Sequence, residues 1–235
     1  MNNLVKFNKV LVFSAHPDDL DFGCSGTVAK LTQDGKEAVY CIITNGEKGT
    51  HKVERPREQM TEMREEEQRM AATVVGVNKV IFLKEVDGDL ENTKELRGKI
   101  VKVIREEKPD IIFALDPANQ CFDSFYRFHR DHRVGAEAVF DAIYPAAGSR
   151  AFFPELVDSG IMPHQIHEAW FFGTERPNVY VDITDTIDRK IKALRQHEGQ
   201  IYDMNEAENH IRKQASSIGK KNKIKYAEAF RRLTF

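Results

Sequence analysis

Two short clusters carry the side chains that could do chemistry together. The first is Ser14-Ala15-His16-Pro17-Asp18-Asp19 and the second is His129-Arg130-Asp131-His132. His16 and Asp19 are three positions apart, so a helical turn there projects both to one side. A neutral imidazole and a carboxylate are standard zinc donors. Asp18 sits between them, does not easily share the same vertex, and is free to act as a base. A catalytic zinc site keeps three protein ligands and leaves a position open for water. A third ligand must therefore come from elsewhere, and we expect His132 to supply it. His129 then remains as an acid or oxyanion stabiliser. Asp131 is placed to hydrogen-bond one His129 nitrogen, fixing its tautomer and raising its pKa. Each cluster alone has a plainer reading. A His before Pro at a strand end caps or faces solvent, and paired Asp residues serve as an N-cap and a first-turn carboxylate. Their shared composition and shared place after an apolar run favour the metal site.

The elements that must position these clusters alternate. Lys9–Ser14 reads as a buried parallel strand, and Leu20–Gln33 as the helix that follows it. The first cluster thus falls where a strand ends and a helix begins, the rim where open α/β sheets bind ligands. Further strands are expected at 38–44, 80–83 and 110–115, with helices at 56–75 and 93–107. Gly76 suits the end of the first of these helices. A long irregular stretch, 116–131, leads to the second cluster and a helix over 132–143. Residues 145–165 read as a flap, 169–172 and 179–181 as strands, and Asp185 as the N-cap of a helix ending near His197. Helical pieces at 205–216 and 223–233 close the chain. The pattern is that of βαβ units in a mainly parallel sheet, with residues 1–235 forming one domain.

The remaining composition excludes more than it assigns. With 41% hydrophobic and 31% charged residues the chain can bury a core. No apolar run nears the roughly 18 residues of a membrane span, and the first residues lack a signal-peptide pattern. A net charge of -2 gives no electrostatic case for nucleic acid. Three cysteines without paired spacing argue against a disulfide framework, and the cytoplasm is the expected location. Cys41 reads as inert packing in a strand, whereas Cys121 falls in a loop. Gly23-Cys24-Ser25-Gly26 is not a dinucleotide fingerprint; its glycines suit close helix–strand packing.

The paired motifs Ala15-His16-Pro17-Asp18-Asp19 and His129-x-Asp131-His132 resemble those of the LmbE-like (PIG-L-type) zinc-dependent de-N-acetylases. The resemblance extends through Gly23-x-x-Gly26-Thr27, Thr44-Asn45-Gly46-Glu47, Arg64, Asp87-Gly88-x-Leu90, Val181-Asp182-Ile183-Thr184 and the tail Tyr226–Arg231. It implies a Rossmann-like three-layer sandwich and hydrolysis of an acetamido group on an amino sugar or its conjugate. It also implies metal ligation by His16, Asp19 and His132, with Zn2+ activating a water and Asp18 as the general base. His129 would stabilise the oxyanion with Asp131 behind it, and either Asp18 or His129 would protonate the leaving amine. Arg64 and Asp87 would contact substrate. A homo-oligomer, hexamer or trimer, is implied as well. One departure is visible: the family's usual His-Pro-Asp-His is His-Arg-Asp-His here, with Arg130 in place of a rigid Pro.

Without that resemblance, Arg64 among acidic neighbours reads as an exposed ion-pairing residue and Asp87 as a turn former. Glu47 could line the pocket or serve as a turn residue, and Phe125 and Tyr126 could form a pocket wall or pack in the core. His164 and His167 fall in the expected flap, and His51, His197 and His210 show no partner pattern. Phe152 and Phe153 read as either interface or flap packing. The rival functions are hydrolysis of another amide or an ester at the same metal site, and a non-catalytic metal- or carbohydrate-binding module. The donor set suits zinc but admits iron, cobalt or manganese.

Overall fold

The computed structural model describes residues 7–49, 56–122 and 125–235; His51 lies outside them. The alternation appears as β1 (Lys9–Ser14), α1 (Asp19–Gly23), α2 (Ser25–Gln33), β2 (Glu37–Thr44), α3 (Arg57–Val74), β3 (Lys79–Glu85), α4 (Lys94–Glu107) and β4 (Ile111–Leu115). Then follow α5 (Arg130–Asp141), α6 (Pro154–Asp158), β5 (Glu168–Phe172), β6 (Val179–Asp182), α7 (Ile187–Leu194), α8 (Met204–Lys220) and β7 (Ala227–Thr234). The strands form one sheet in the order β3-β2-β1-β4-β5-β7-β6. The first five are parallel neighbours. β7 runs antiparallel to both β5 and β6.

Both faces of the sheet are covered, which is why its strands are apolar without alternation. Val10, Val12, Tyr40, Phe113 and Trp170 pack to one side with residues of α2, α3, α7 and α8. Leu11, Phe13, Cys41, Ile112 and Phe171 pack to the other with α4 and α5. The result is a three-layer sandwich. Strand order reverses between β1 and β4, whose neighbours run outward in opposite directions. The crevice outside the carboxyl ends at such a reversal is where open sheets bind ligands.

The expected helix 20–33 is two helices broken at Cys24 (φ −146°, ψ 5°). Close packing accounts for the two glycines that flank the break: a Cβ on Gly23 would lie 2.3 Å from the Phe172 ring, and one on Gly26 2.9 Å from Ile183. The second of these helices has no side-chain cap of its own. Glu228 of β7 supplies it, accepting from Gly26 N–H at 3.1 Å and Thr27 N–H at 2.7 Å. The expected cap at Asp185 falls one residue later, on Thr186, and α7 ends at Leu194 rather than near His197.

The helix expected over 223–233 is instead the strand β7. Its Ala, Glu, Arg and Leu residues favour a helix locally. Pairing with β5 and β6 satisfies both backbone edges, and Phe230 packs against Phe113 and Trp170. Residues 145–165 are not a flap over the binding rim. α5 runs on into a wider turn, Ala142–Ala147, that contains the cis Tyr144–Pro145 peptide. Buried Arg105 near the end of α4 donates to the carbonyls of Ala146, Ala147, Ser149 and Phe152 and pins this segment. His164 contacts the Pro109 carbonyl at 2.7 Å, and His167 faces Asp110. Both therefore sit at the amino end of β4, away from the rim. Phe153 is buried against Gly98 while Phe152 stays exposed.

Candidate active site

β1 and β4 deliver the two motifs to one crevice. His16 and Asp19 follow β1, while His129 is the N-cap of α5 and His132 lies in its first turn. Across 116 residues of sequence, His16 Nδ1 meets His132 Nε2 at 3.1 Å. Asp19 completes the group through both its oxygens, Oδ1 3.0 Å from His132 Nε2 and Oδ2 3.4 Å from His16 Nδ1. Asp19 is itself fixed, accepting from His16 N–H at 2.8 Å and from Tyr126 Oη–H at 3.3 Å. Donors at about 2.0–2.1 Å from a tetrahedral metal stand about 3.3–3.4 Å apart. The contacts that His16, Asp19 and His132 make with one another are thus near the donor spacings of a metal site, with a different Asp19 oxygen facing each imidazole. Two ring nitrogens facing one another at this distance either share an N–H···N hydrogen bond or hold a metal between them.

His16 Nε2 points the other way, to Asp131 Oδ2 at 3.1 Å and Asp87 Oδ1 at 3.2 Å. Such an outer carboxylate fixes the tautomer of a ligating histidine and frees its other nitrogen. Gly88 N–H (2.6 Å) and Leu90 N–H (3.3 Å) hold Asp131, and Lys48 N–H (3.0 Å) holds Asp87. His16, Asp87 and Asp131, and also His16, His129 and His132, form groups that could hold a metal ion. Asp131 is therefore behind His16, not behind His129. Its backbone N–H, rather than its carboxylate, reaches His129, donating to Nδ1 at 3.2 Å. That contact makes Nε2 the protonated nitrogen of a neutral His129.

Charge follows this layout. Burial pushes His16 down, but hydrogen bonds to Asp131, Asp19 and Asp87 outweigh it and hold the ring well above its ordinary pKa. Burial raises Asp19, yet the charge and hydrogen bond of His132 carry it well below the carboxylate range. His129 is lowered: burial and its two histidine neighbours outweigh the charges of Asp131 and Asp87, which favour its imidazolium form. Asp18 is raised, with burial outweighing the Arg64 guanidinium. A base poised closer to neutrality suits proton abstraction.

Asp18 also stands at φ 91° and ψ −34°. Such a backbone costs on the order of 1–3 kcal/mol for a non-glycine residue and persists only where its surroundings enforce it. Arg64 is part of that enforcement. It is 2% exposed, and its Nη2 donates to the Pro17 carbonyl at 2.5 Å and to Asp18 Oδ2 at 3.0 Å. The exposed ion-pairing role that composition suggests does not hold. Glu47 accepts from Asn45 Nδ2 at 3.1 Å. Phe125 is fully exposed and Tyr126 half exposed beside the crevice. A cavity of about 350 Å³, within the range of ligand pockets, adjoins His132 and is lined also by Leu115, Asp116, Asn119, Phe128 and Arg133.

Three residues beside the site have no place in the motif reading. Gln68 accepts from Asp18 N–H at 2.8 Å and donates to Asp21, which also meets His197 Nε2 at 2.9 Å. Gln68 was legible as the residue one helical turn beyond Arg64. His197, fully buried, carried no sequence signal because its partner is 176 residues away. His210 is exposed, Cys41 is buried with its thiol pushed up, and Cys121 is exposed.

A switch-point crevice holding converging imidazoles and carboxylates defines a candidate catalytic site on an open α/β sheet. The chain belongs to the PIG-L family, whose GlcNAc-PI de-N-acetylase model matches residues 11–143. It is 37% identical over 229 residues to the diacetylchitobiose deacetylase of Thermococcus kodakarensis, covering 95% of this chain and 82% of that protein. The structure of N,N'-diacetylchitobiose deacetylase from Pyrococcus horikoshii superposes with a TM-score of 0.92 at 31% identity, covering 100% of this chain and 86% of that one. GalB, a 4-carboxy-2-hydroxymuconate hydratase from Pseudomonas putida, shares the fold with a TM-score of 0.80 at 20% identity over 97% of each chain. A hydratase on the same fold shows that the architecture alone does not name the reaction. No helix among the described residues is long and apolar enough to cross a membrane.

Proposed function

We propose that this protein hydrolyses the acetamido group of an N-acetylated amino sugar or its conjugate, releasing acetate and a free amine. The observation that carries the reading is the grouping of His16, Asp19 and His132 at 3.0–3.4 Å with Asp18 adjacent. Family membership and the likeness to two diacetylchitobiose deacetylases support the substrate class. Of the groupings around His16, we favour its Nδ1 side as the metal site. The Asp87 and Asp131 oxygens near Nε2 are committed to His16 and to backbone N–H groups, whereas the Nδ1 side faces a second imidazole nitrogen.

In this reading His16, Asp19 and His132 would hold a divalent ion, zinc by donor type. When bound, such an ion acts as a Lewis acid and lowers the pKa of water towards 7, from about 15.7. Asp18 takes the proton of the attacking water, its raised pKa matching that task. Arg64 keeps the carboxylate in place while still holding the Pro17 carbonyl. His129 presents Nε2–H to the oxygen that becomes negative in the tetrahedral intermediate. Asp18, which has taken the proton of the attacking water, then passes it to the departing nitrogen, since a neutral His129 would become an imidazolate by giving up its Nε2 proton. The family resemblance makes Asp87 and Arg64 the proposed substrate contacts; in this structure Asp87 faces His16 and Arg64 faces Asp18. We treat residues 1–235 as one catalytic domain and place it in the cytoplasm as a homo-oligomer.

The test is acetate release by the zinc-loaded protein from N,N'-diacetylchitobiose, N-acetylglucosamine and simple acetamides. Release from the sugars that stops on chelation is the expected result. Turnover of acetamides or esters with none of the sugars would replace the substrate class. Silence across the panel would leave the metal- and carbohydrate-binding reading in its place.

A further inference from the structure

The mechanism leaves one buried polar chain unused. Asp18 N–H donates to Gln68 Oε1 at 2.8 Å. A backbone N–H can only donate, so this contact fixes the side-chain amide with its oxygen toward Asp18. The amide NH₂ must then face away, and it reaches Asp21 Oδ2 at 2.9 Å. His197 Nε2 meets that same oxygen at 2.9 Å. Gln68, Asp21 and His197 are all fully buried. The chain therefore links α3 and the loop after α7 to Asp18, a non-glycine residue held at φ 91°.

We infer that Gln68 is a positioning residue for this site. Asp21 and His197 clamp its amide, and the amide holds the Asp18 backbone so that the carboxylate stays aimed at the reacting water. Arg64, one turn earlier on the same helix face, holds the carboxylate end while Gln68 holds the amide end. A glutamine buried only for packing would have no reason to meet the strained peptide, and an apolar side chain of equal length would replace it. The inference rests on the reading of Asp18 as the general base.

Gln68→Met keeps length and volume and removes both hydrogen bonds. In the zinc-loaded enzyme acting on N,N'-diacetylchitobiose, kcat should fall about 10- to 100-fold, the scale of a misplacement near 1 Å. KM and bound metal should be unchanged. Unchanged kcat, or loss of metal in step with activity, overturns the inference. If Gln68→Met does not fold, two variants of His197 decide. His197→Phe, which abandons Asp21, should lower kcat, and His197→Gln, which still donates to it, should keep kcat. Equal kcat in the two overturns the clamp. Asp18→Ala separates the two levels of the argument. Wild-type turnover in that variant removes the base assignment and the positioning role with it. An inactive Asp18→Ala beside a fully active Gln68→Met removes the positioning role alone.

Discussion

Two buried polar clusters, both joining distant parts of the chain, show opposite designs. At the amino end of α2, Lys190 Nζ meets Glu228 Oε1 at 2.5 Å and the Phe22 carbonyl at 2.7 Å, while Glu228 caps Gly26 and Thr27. One cation faces one anion, and Glu228 spends both oxygens on fixed donors. At the rim, Asp19, Asp87 and Asp131 surround His16, and two imidazole nitrogens face one another at 3.1 Å. That cluster sets three carboxylates around one imidazole, and it adjoins exposed His129 and a cavity. The difference separates a structural ion pair from a site. Burial of charge is common to both, so burial alone identifies neither. An unbalanced donor set at a sheet's switch point does.

Experiments that strike each cluster separately should give opposite readouts. The largest effect is expected from Asp18→Ala, with acetate release lower by about 10²- to 10⁴-fold, the worth of a positioned base. Metal content, measured by elemental analysis, should stay at the wild-type level. Loss of metal instead would exchange the roles of Asp18 and Asp19. Removal of metal by a chelator should abolish turnover, and added Zn2+ should restore it. Amide hydrogen exchange at Gly26 and Thr27 should be unaffected, since the Lys190–Glu228 cluster contains no place for the ion. His129→Ala should lower kcat by about 10²-fold, the scale of one lost oxyanion donor. Glu228→Ala reverses the pattern. It strands a buried ammonium and should cost about 3–5 kcal/mol in urea unfolding, while the folded fraction keeps its kcat.

The smallest effect lies at the amino ends of the strands, where Glu107 is bonded to Lys9 and Lys79. Burial raises Glu107, but hydrogen bonds from the two lysines bring its pKa below the ordinary value. A depressed carboxylate stabilises the fold above its unfolded pKa, about 4.3, and the benefit disappears as pH falls through the folded value. Because Lys79 is largely exposed, Glu107→Gln should cost under about 1 kcal/mol at pH 7. The difference from wild type should vanish in thermal melts below the folded pKa.

The sequence by itself determined the alternation of strands and helices, because apolar period and turn residues are local signals. It also determined which residues carry the chemistry, since His16, Asp18, Asp19, His129, Asp131 and His132 lie in two short motifs next to strand ends. Their convergence was legible only as a consequence of parallel strands sharing one rim. What tertiary structure decided is partnership. Asp131 serves His16 rather than its near neighbour His129, because Gly88 and Leu90 present backbone donors that turn its carboxylate inward. Arg64 is buried because Asp18 and the Pro17 carbonyl accept from it. The tail became a strand because β5 and β6 both required a neighbour, a need that Ala227–Thr234 does not display. Composition and spacing report what a segment prefers alone. Hydrogen-bond satisfaction in a dry interior is settled among segments far apart in the chain, and it overrides those preferences wherever a buried group would otherwise go unpaired.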